Sequence, residues 1–286
     1  MTSALRSMAL GVDSLDRAEE LFVGLLGGRP TADGDGRLAI RFPPGIDVEL
    51  WDGSHGLRLL TFSVDDPDRT QHELVALGYR DAGEALDAPP GYGGAVALTH
   101  DDGKPSVVAG PTGPCVRSLD HVCAPSGDLE RSIAVFAGVL GGDVVFGGDN
   151  DTMGTRSAQV RFRPGTKVEL LHARRANVPV GRFAERFPGR YHHLTMLTAD
   201  LPRLVARLEA AGYPLIDTDL DSRPTWRETF IRPSASFGSL LQLVDTPLEY
   251  KEPLADHVID DILAGRLTSD SYQMQLRDDS TGRLVV

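Results

Sequence analysis

Lysine is scarce in this chain: Lys104, Lys167 and Lys251 are the only lysines among 29 basic residues. Basic residues are themselves outnumbered by 41 acidic ones, which leaves a net charge of -12 and a pI of about 5.1. A nucleic-acid binder needs a basic face to meet phosphates, so that class is excluded, and so is an anionic membrane surface as partner. Cysteine is almost absent. Cys115 and Cys123 lie eight residues apart and are expected to be free thiols rather than a bridge. Long apolar runs are missing too, so no span of the ~20 residues a membrane helix needs is expected. The first twenty residues carry Arg6 and then an acidic amphipathic segment, without the basic start and apolar block of a signal peptide. A cytoplasmic location is the expectation.

What the chain does have is self-similarity. Its 286 residues suit about two domains at ~150 residues each. Phe22–Gly28 (FVGLLGG) matches Phe136–Gly142 (FAGVLGG) at an offset of 114. Arg41–Leu50 matches Arg161–Leu170 at an offset of 120, with seven of ten positions identical, and Leu74–Tyr79 matches Leu208–Tyr213 at 134. The growing offset places insertions in loops of the second half. Residues 1–112 and 118–246 therefore read as two copies of one design, joined at the Gly/Pro cluster 110–114. Residues 247–286 have no counterpart; a short helix near 255–265 and a polar tail from Asp278 are expected there.

Each copy divides again into two units of strand, helix and two or three strands. In the second copy Leu119–Ala124 reads as a strand. Leu129, Ile133, Phe136 and Leu140 fall on one helical face behind Asp128 as N-cap, and Gly141-Gly142 stops the helix. Strands near 143–147, 157–163 and 167–172 follow. The next unit opens at Tyr191-His192-His193, has its helix at about 201–211, and ends in strands near 214–217, 226–232 and 239–244. A strand turns alternate side chains to opposite faces, so a polar residue flanked by Leu and Val needs a reason to face inward. His121, Glu169, His193 and Gln242 are four such residues.

Four βαβββ units in tandem, with Leu119-Asp-His-Val, Val168-Glu-Leu-Leu, Tyr191-His-His-Leu-Thr and Phe230-Ile-Arg-Pro…Phe237-Gly-Ser-Leu-Leu-Gln-Leu-Val, resemble the vicinal oxygen chelate superfamily of glyoxalases, methylmalonyl-CoA epimerases, extradiol dioxygenases and bleomycin-resistance proteins. The second copy looks most like the epimerases. The resemblance implies an α+β fold of two cup-shaped domains. It implies one divalent metal ion (Fe, Mn, Co, Ni or Zn) held by His121, Glu169, His193 and Gln242. Of the histidine doublet, the family register favours His193 as ligand. The first copy supplies a control. The offsets set Ser7 against His121, Leu59 against His193 and about Val107 against Gln242, so that only Glu49 survives and that copy is expected to hold no metal.

An ion with two adjacent open positions takes a substrate through two neighbouring oxygens and stabilises an enolate. Isomerase or epimerase, lyase and ring-cleaving Fe(II) dioxygenase chemistry all fit; a metal-free antibiotic-binding protein is the non-enzyme alternative. The dioxygenases place a Glu on the last strand, where Gln242 stands. The epimerases carry an amide on the fourth strand and a Glu on the eighth, the reverse of Glu169 and Gln242, and their third-strand catalytic Glu aligns with about Ser157. Glu228 is the replacement candidate for that base, beside Glu169. Tyr191 and His192 are further candidates, for catalysis and substrate binding. Arg156, Arg161, Arg227 and Arg232 are expected to border the cup, where one would clamp a substrate carboxylate or phosphate. The expected reading is a metal-dependent isomerase or epimerase-like enzyme of a small carbonyl substrate, acting as a monomer or homodimer.

Overall fold

The computed structural model describes residues 3–34, 36–53, 55–101, 116–222, 225–269 and 273–277. Val107, the Gly/Pro joint at 110–114, Cys115 and the tail from Asp278 lie outside these residues. Two sheets carry the α+β fold. The first is built from β1 (Ala4–Val12), β2 (Arg29–Gly34), β3 (Arg37–Phe42), β4 (Ile46–Asp52), β5 (Gly56–Val64), β6 (Arg80–Asp81), β7 (Leu86–Asp87) and β8 (Ala95–His100). Its order is β2-β3-β4-β1-β5-β8-β7-β6. The second contains β9 (Val116–Ser126), β10 (Asp143–Asn150), β11 (Thr155–Arg161), β12 (Lys167–Ala173), β13 (His193–Thr198), β14 (Leu215–Asp219), β15 (Arg227–Ile231) and β16 (Leu240–Asp245), with β17 (Leu267–Thr268) and β18 (Gln275–Leu276) added. Its order, read from the far edge, is β18-β17-β10-β11-β12-β9-β13-β16-β15-β14. Strand for strand this is the first sheet again, extended by two strands from the chain's last segment. Each unit closes by a parallel pair between its first and last strand, as in β9 with β12 and β13 with β16, and the two units meet through the antiparallel pair of β9 and β13.

The unit-level repeat shows in the helix caps. Helices α1 (Leu15–Glu19), α2 (Pro67–Ala76), α3 (Leu129–Ile133) and α5 (Leu201–Ala210) each start from a side chain that accepts the backbone N–H three residues on. The pairs are Ser14 with Arg17, Asp66 with Arg69, Asp128 with Arg131 and Asp200 with Arg203. Such a cap is worth about 1 kcal/mol. Helices α1 and α3 run on into π-helical turns, Glu20–Leu25 and Ala134–Val139. After the second of these Gly141 takes φ +68°. At Gly142 a Cβ would come within 2.7 Å of the Phe162 ring, which is why the Gly-Gly pair stands there.

One continuous hydrophobic core runs through both copies. Phe62 of the first meets Phe162 and Phe136 of the second at ring distances of 4.8 and 6.3 Å, and Phe22 stacks on Phe237 at 6.5 Å. Two further helices stand among the described residues: α4 (Pro179–Arg186), which the sequence pattern does not announce, and α6 (Asp256–Leu263), close to the expected place. The segment after β16 is strapped along β10. Tyr250 packs on Phe146 (4.4 Å between rings), the Leu254 N–H donates to the Val144 carbonyl, and Ile262 sits where a Cβ on Gly147 would be, 2.7 Å away. The strap is pinned by Asp149, which is buried and faces Arg156 (2.5 Å), Arg174 (3.1 Å) and Arg277 (3.6 Å). No helix among the described residues is long and apolar enough to cross a membrane.

Candidate metal centre

The cup of the second sheet encloses a cavity of about 380 Å³. At its floor, ligand atoms of His121, Glu169 and His193 all lie within 4.8 Å of one another. His121 comes from β9, Glu169 from β12 and His193 from β13, adjacent strands of one sheet. The His193 Nε2 is 3.4 Å from His121 Nε2 and 3.5 Å from Glu169 Oε2; His121 Nε2 is 3.8 Å from that same oxygen. Gln242, on β16, stands one hydroxyl away: Thr195 Oγ1 donates to Gln242 Oε1 (2.6 Å) and lies 2.9 Å from His121 Nε2. The Gln242 amide nitrogen donates to Glu228 Oε2 (2.7 Å), which also accepts from Trp226 Nε1 (3.0 Å).

Each imidazole is oriented by a bond on its other nitrogen, as metal-bound histidines are. Asp120 Oδ2 holds His121 Nδ1 at 2.7 Å, and Lys167 Nζ holds Asp120 Oδ1 at 2.7 Å. Burial works against the Asp120 charge, but Lys167 and His121 outweigh it and keep this carboxyl far below the ordinary range. His193 Nδ1 pairs with His192 Nδ1 at 2.8 Å, and the His192 ring packs edge-on against Phe183 of α4. Burial, and then the neighbouring histidines, hold His193 well below its usual pKa; burial alone takes His192 down to about 4. Both rings are therefore neutral near pH 7, the state in which a nitrogen lone pair is open to a metal. Two imidazoles and a carboxylate, with an amide oxygen beside them, suit a borderline or hard divalent ion.

Sequence reasoning missed two members of this arrangement, Asp120 and Lys167. For Asp120 the signal was present: a charged residue adjoins His121 within the apolar stretch from Leu119 to Ala124. Replacing Asp120 by Asn is expected to weaken metal affinity by about 10–100-fold, since a neutral amide holds the imidazole less firmly and lowers its basicity. Metal titration of the apoprotein reads this directly. Cys123 also lies within ligand reach of His192 and His193, a grouping the sequence reading did not foresee. Burial, and then the Glu169 charge, push its thiol up, so thiolate character is suppressed.

The other expected residues divide. Glu228, Ser157 and His192 line the cavity. Tyr191 does not: it is fully buried between the copies, and its hydroxyl donates to the Ala95 and Gly94 carbonyls (3.1 and 3.3 Å). The arginines are also elsewhere. Arg156, Arg161 and Arg227 bond to Asp149, Asp143 and Asp245, each the residue directly across the strand pair, and Arg232 is exposed outside the lining.

The register corrects one position of the first copy. Ser7 pairs with Thr61 as His121 pairs with Thr195, which sets Leu59 opposite His193 as expected, and Glu49 matches Glu169. Thr61 then pairs with Ala97 as Thr195 pairs with Gln242. Ala97, not Val107, is the counterpart of Gln242; counting offsets past unaligned loops overshot the strand. Serine, leucine and alanine with one glutamate make no cation site.

A family model described as a glyoxalase-like domain matches residues 119–258. The ethylmalonyl-CoA/methylmalonyl-CoA epimerase of Cereibacter sphaeroides is 33% identical over 95 residues, which cover 33% of this chain and 70% of that enzyme. Among solved structures, a mutant 4-hydroxymandelate synthase from Streptomyces coelicolor is similar with a TM-score of 0.61 at 16% identity, covering 93% of this chain and 98% of that one. The 2,2',3-trihydroxybiphenyl 1,2-dioxygenase of Sphingomonas wittichii is similar with a TM-score of 0.60 at 16% identity, covering 86% of this chain and 91% of that one. These two likenesses speak for the fold.

Proposed function

This chain belongs to the vicinal oxygen chelate superfamily, and from that premise we propose that it is a divalent-metal-dependent isomerase that shifts a proton beside a carbonyl group. The observation that carries the proposal is the convergence of His121, Glu169 and His193 in the lining of the cup, with Glu228 in the same lining. A bound divalent ion would supply Lewis-acid stabilisation of negative charge on two neighbouring substrate oxygens. His121 and His193 are held ready for it by Asp120 and His192, and Gln242 lies alongside as the fourth candidate. Glu228 takes the proton from the substrate carbon and returns it. Its Oε2 accepts from Trp226 and Gln242, and these two donors fix the carboxylate in place and stabilise its charge. Leu171, Leu197, Phe230 and Leu240 add apolar surface to the same lining. One base suffices to move a proton between adjacent carbons, whereas inversion at one carbon needs a second on the opposite face. That favours isomerisation over epimerisation.

A second reading draws on the ligand set itself. Two histidines and one carboxylate with open positions are also the donor set of non-haem Fe(II) oxygenases, so ring cleavage of a catechol is the alternative. Two measurements separate the readings. Protein loaded with Mn(II) or Co(II) in D2O is expected to wash deuterium into the carbon beside the carbonyl of 2-hydroxycyclohexanone. Oxygen uptake with catechol after anaerobic Fe(II) loading, and no exchange with any metal, would overturn the isomerase in favour of the dioxygenase. Failure to bind metal at all would favour a binding protein.

A further inference from the structure

Two glutamines line the cavity, both 7% exposed, and they differ in how they are satisfied. Gln242 has both ends of its amide bonded. Gln159 does not: its Oε1 is buried and meets no donor. A buried amide oxygen without a donor is destabilising, and such atoms are few in native proteins. Gln159 is also placed with purpose. On β11 the residues Thr155, Ser157 and Gln159 alternate onto the cavity side. Gln159 is the direct cross-strand partner of Glu169 on one side and of Phe146 on the other. Side chains in that relation have Cβ atoms about 5 Å apart, so the orphan amide stands one strand spacing from the ligand cluster. Across from it lie Phe146 and Tyr250, whose rings pack at a tilt, 4.4 Å between centroids.

We propose that Gln159 is a substrate-binding residue: its amide receives a hydroxyl group that an uncharged substrate carries in addition to the two oxygens facing His121, Glu169 and His193. This rests on the reading above, that substrate oxygens sit at that cluster. A hydroxyl is the fitting group because it donates to Oε1, once the amide turns that oxygen to the cavity, without bringing a charge into a largely apolar cup. An anionic substrate fits poorly. The one Lys or Arg among the described lining residues, Lys167, is bonded to Asp120 at 2.7 Å, and Arg156, Arg161 and Arg227 are paired with aspartates outside the lining.

The test is calorimetric titration of the full-length Co(II)-loaded protein, under anaerobic conditions, with catechol, 1,2,3-trihydroxybenzene, 1,2,4-trihydroxybenzene and 3,4-dihydroxybenzoate. Wild type is expected to bind one of the two trihydroxybenzenes roughly tenfold more tightly than catechol, the worth of one hydrogen bond to a group otherwise left unsatisfied. The carboxylate of 3,4-dihydroxybenzoate is expected to bring no gain. Gln159→Leu, nearly the same size, is expected to erase the trihydroxybenzene preference while leaving catechol affinity within about twofold; Gln159→Met serves the same purpose if the leucine variant does not fold. If wild type shows no preference, as an amide satisfied by water alone would, or if the preference survives in both variants, the inference is overturned. Tightest binding by the carboxylate would overturn the uncharged-substrate part. A protein that takes up no Co(II) sinks the metal reading and this one together, whereas Co(II) uptake with undiscriminating catechol binding sinks this one alone.

Discussion

Replacing His193 by leucine, the residue its first-copy counterpart Leu59 already carries, is expected to reduce bound divalent metal from about one ion per chain to a trace. The cluster would be left with His121 and Glu169, and His192 would lose the ring nitrogen it pairs with. Removing an outer partner of a metal ligand costs about 10–100-fold in affinity, so loss of the ligand itself should exceed ~100-fold. Elemental analysis after dialysis, on protein made without a metal-binding tag, gives the answer, and activity should fall with metal content. The fold should survive, because the first copy forms the same strand order around Leu59. Retention of stoichiometric metal in His193→Leu would mean that the ion sits elsewhere.

The second large effect is expected at Glu228. Glu228→Gln keeps the size of the side chain and an oxygen to accept from Trp226 and Gln242, but it removes the group that takes the proton. General-base catalysis contributes about 10²–10⁴-fold. Deuterium exchange into 2-hydroxycyclohexanone should therefore slow by that factor at saturating substrate, with metal content unchanged and KM shifted little. A loss confined to KM would make Glu228 a binding group and remove it from the chemistry. Unchanged exchange would exclude it from both roles.

Much of this arrangement is legible in the sequence because strands obey a period of two. A lone His, Glu or Gln between Leu and Val must face somewhere, and the duplication shows which of those polar residues are dispensable to the fold: Ser7, Leu59 and Ala97 build the same sheet without them. The arginines were not legible in this way. Whether Arg156, Arg161 or Arg227 reaches a substrate depends on what lies across the next strand. In all three cases that is an aspartate at the matching register position, 7 to 18 residues away in sequence. Gln159 was hidden for a related reason, since nothing local in Ser-Ala-Gln-Val marks an amide whose oxygen meets no donor. The strap was hidden as well. Gly147 looks like a flexible point until Ile262 is seen to fill the space a side chain there would need.

Tyr191 has a consequence of its own. It immediately precedes His192 and His193, yet it is embedded in the other copy: its N–H donates to the Leu57 carbonyl, its hydroxyl to Ala95, and a Cβ on Gly94 would strike its ring at 2.6 Å. The first copy thus anchors the stretch of backbone that carries His192 and His193 of the second. A gene fragment encoding the later half alone would expose that ring to water and loosen the very residues it was cut out to preserve. The copy that carries Ser7, Leu59 and Ala97 at the matching positions serves as a foundation for the other.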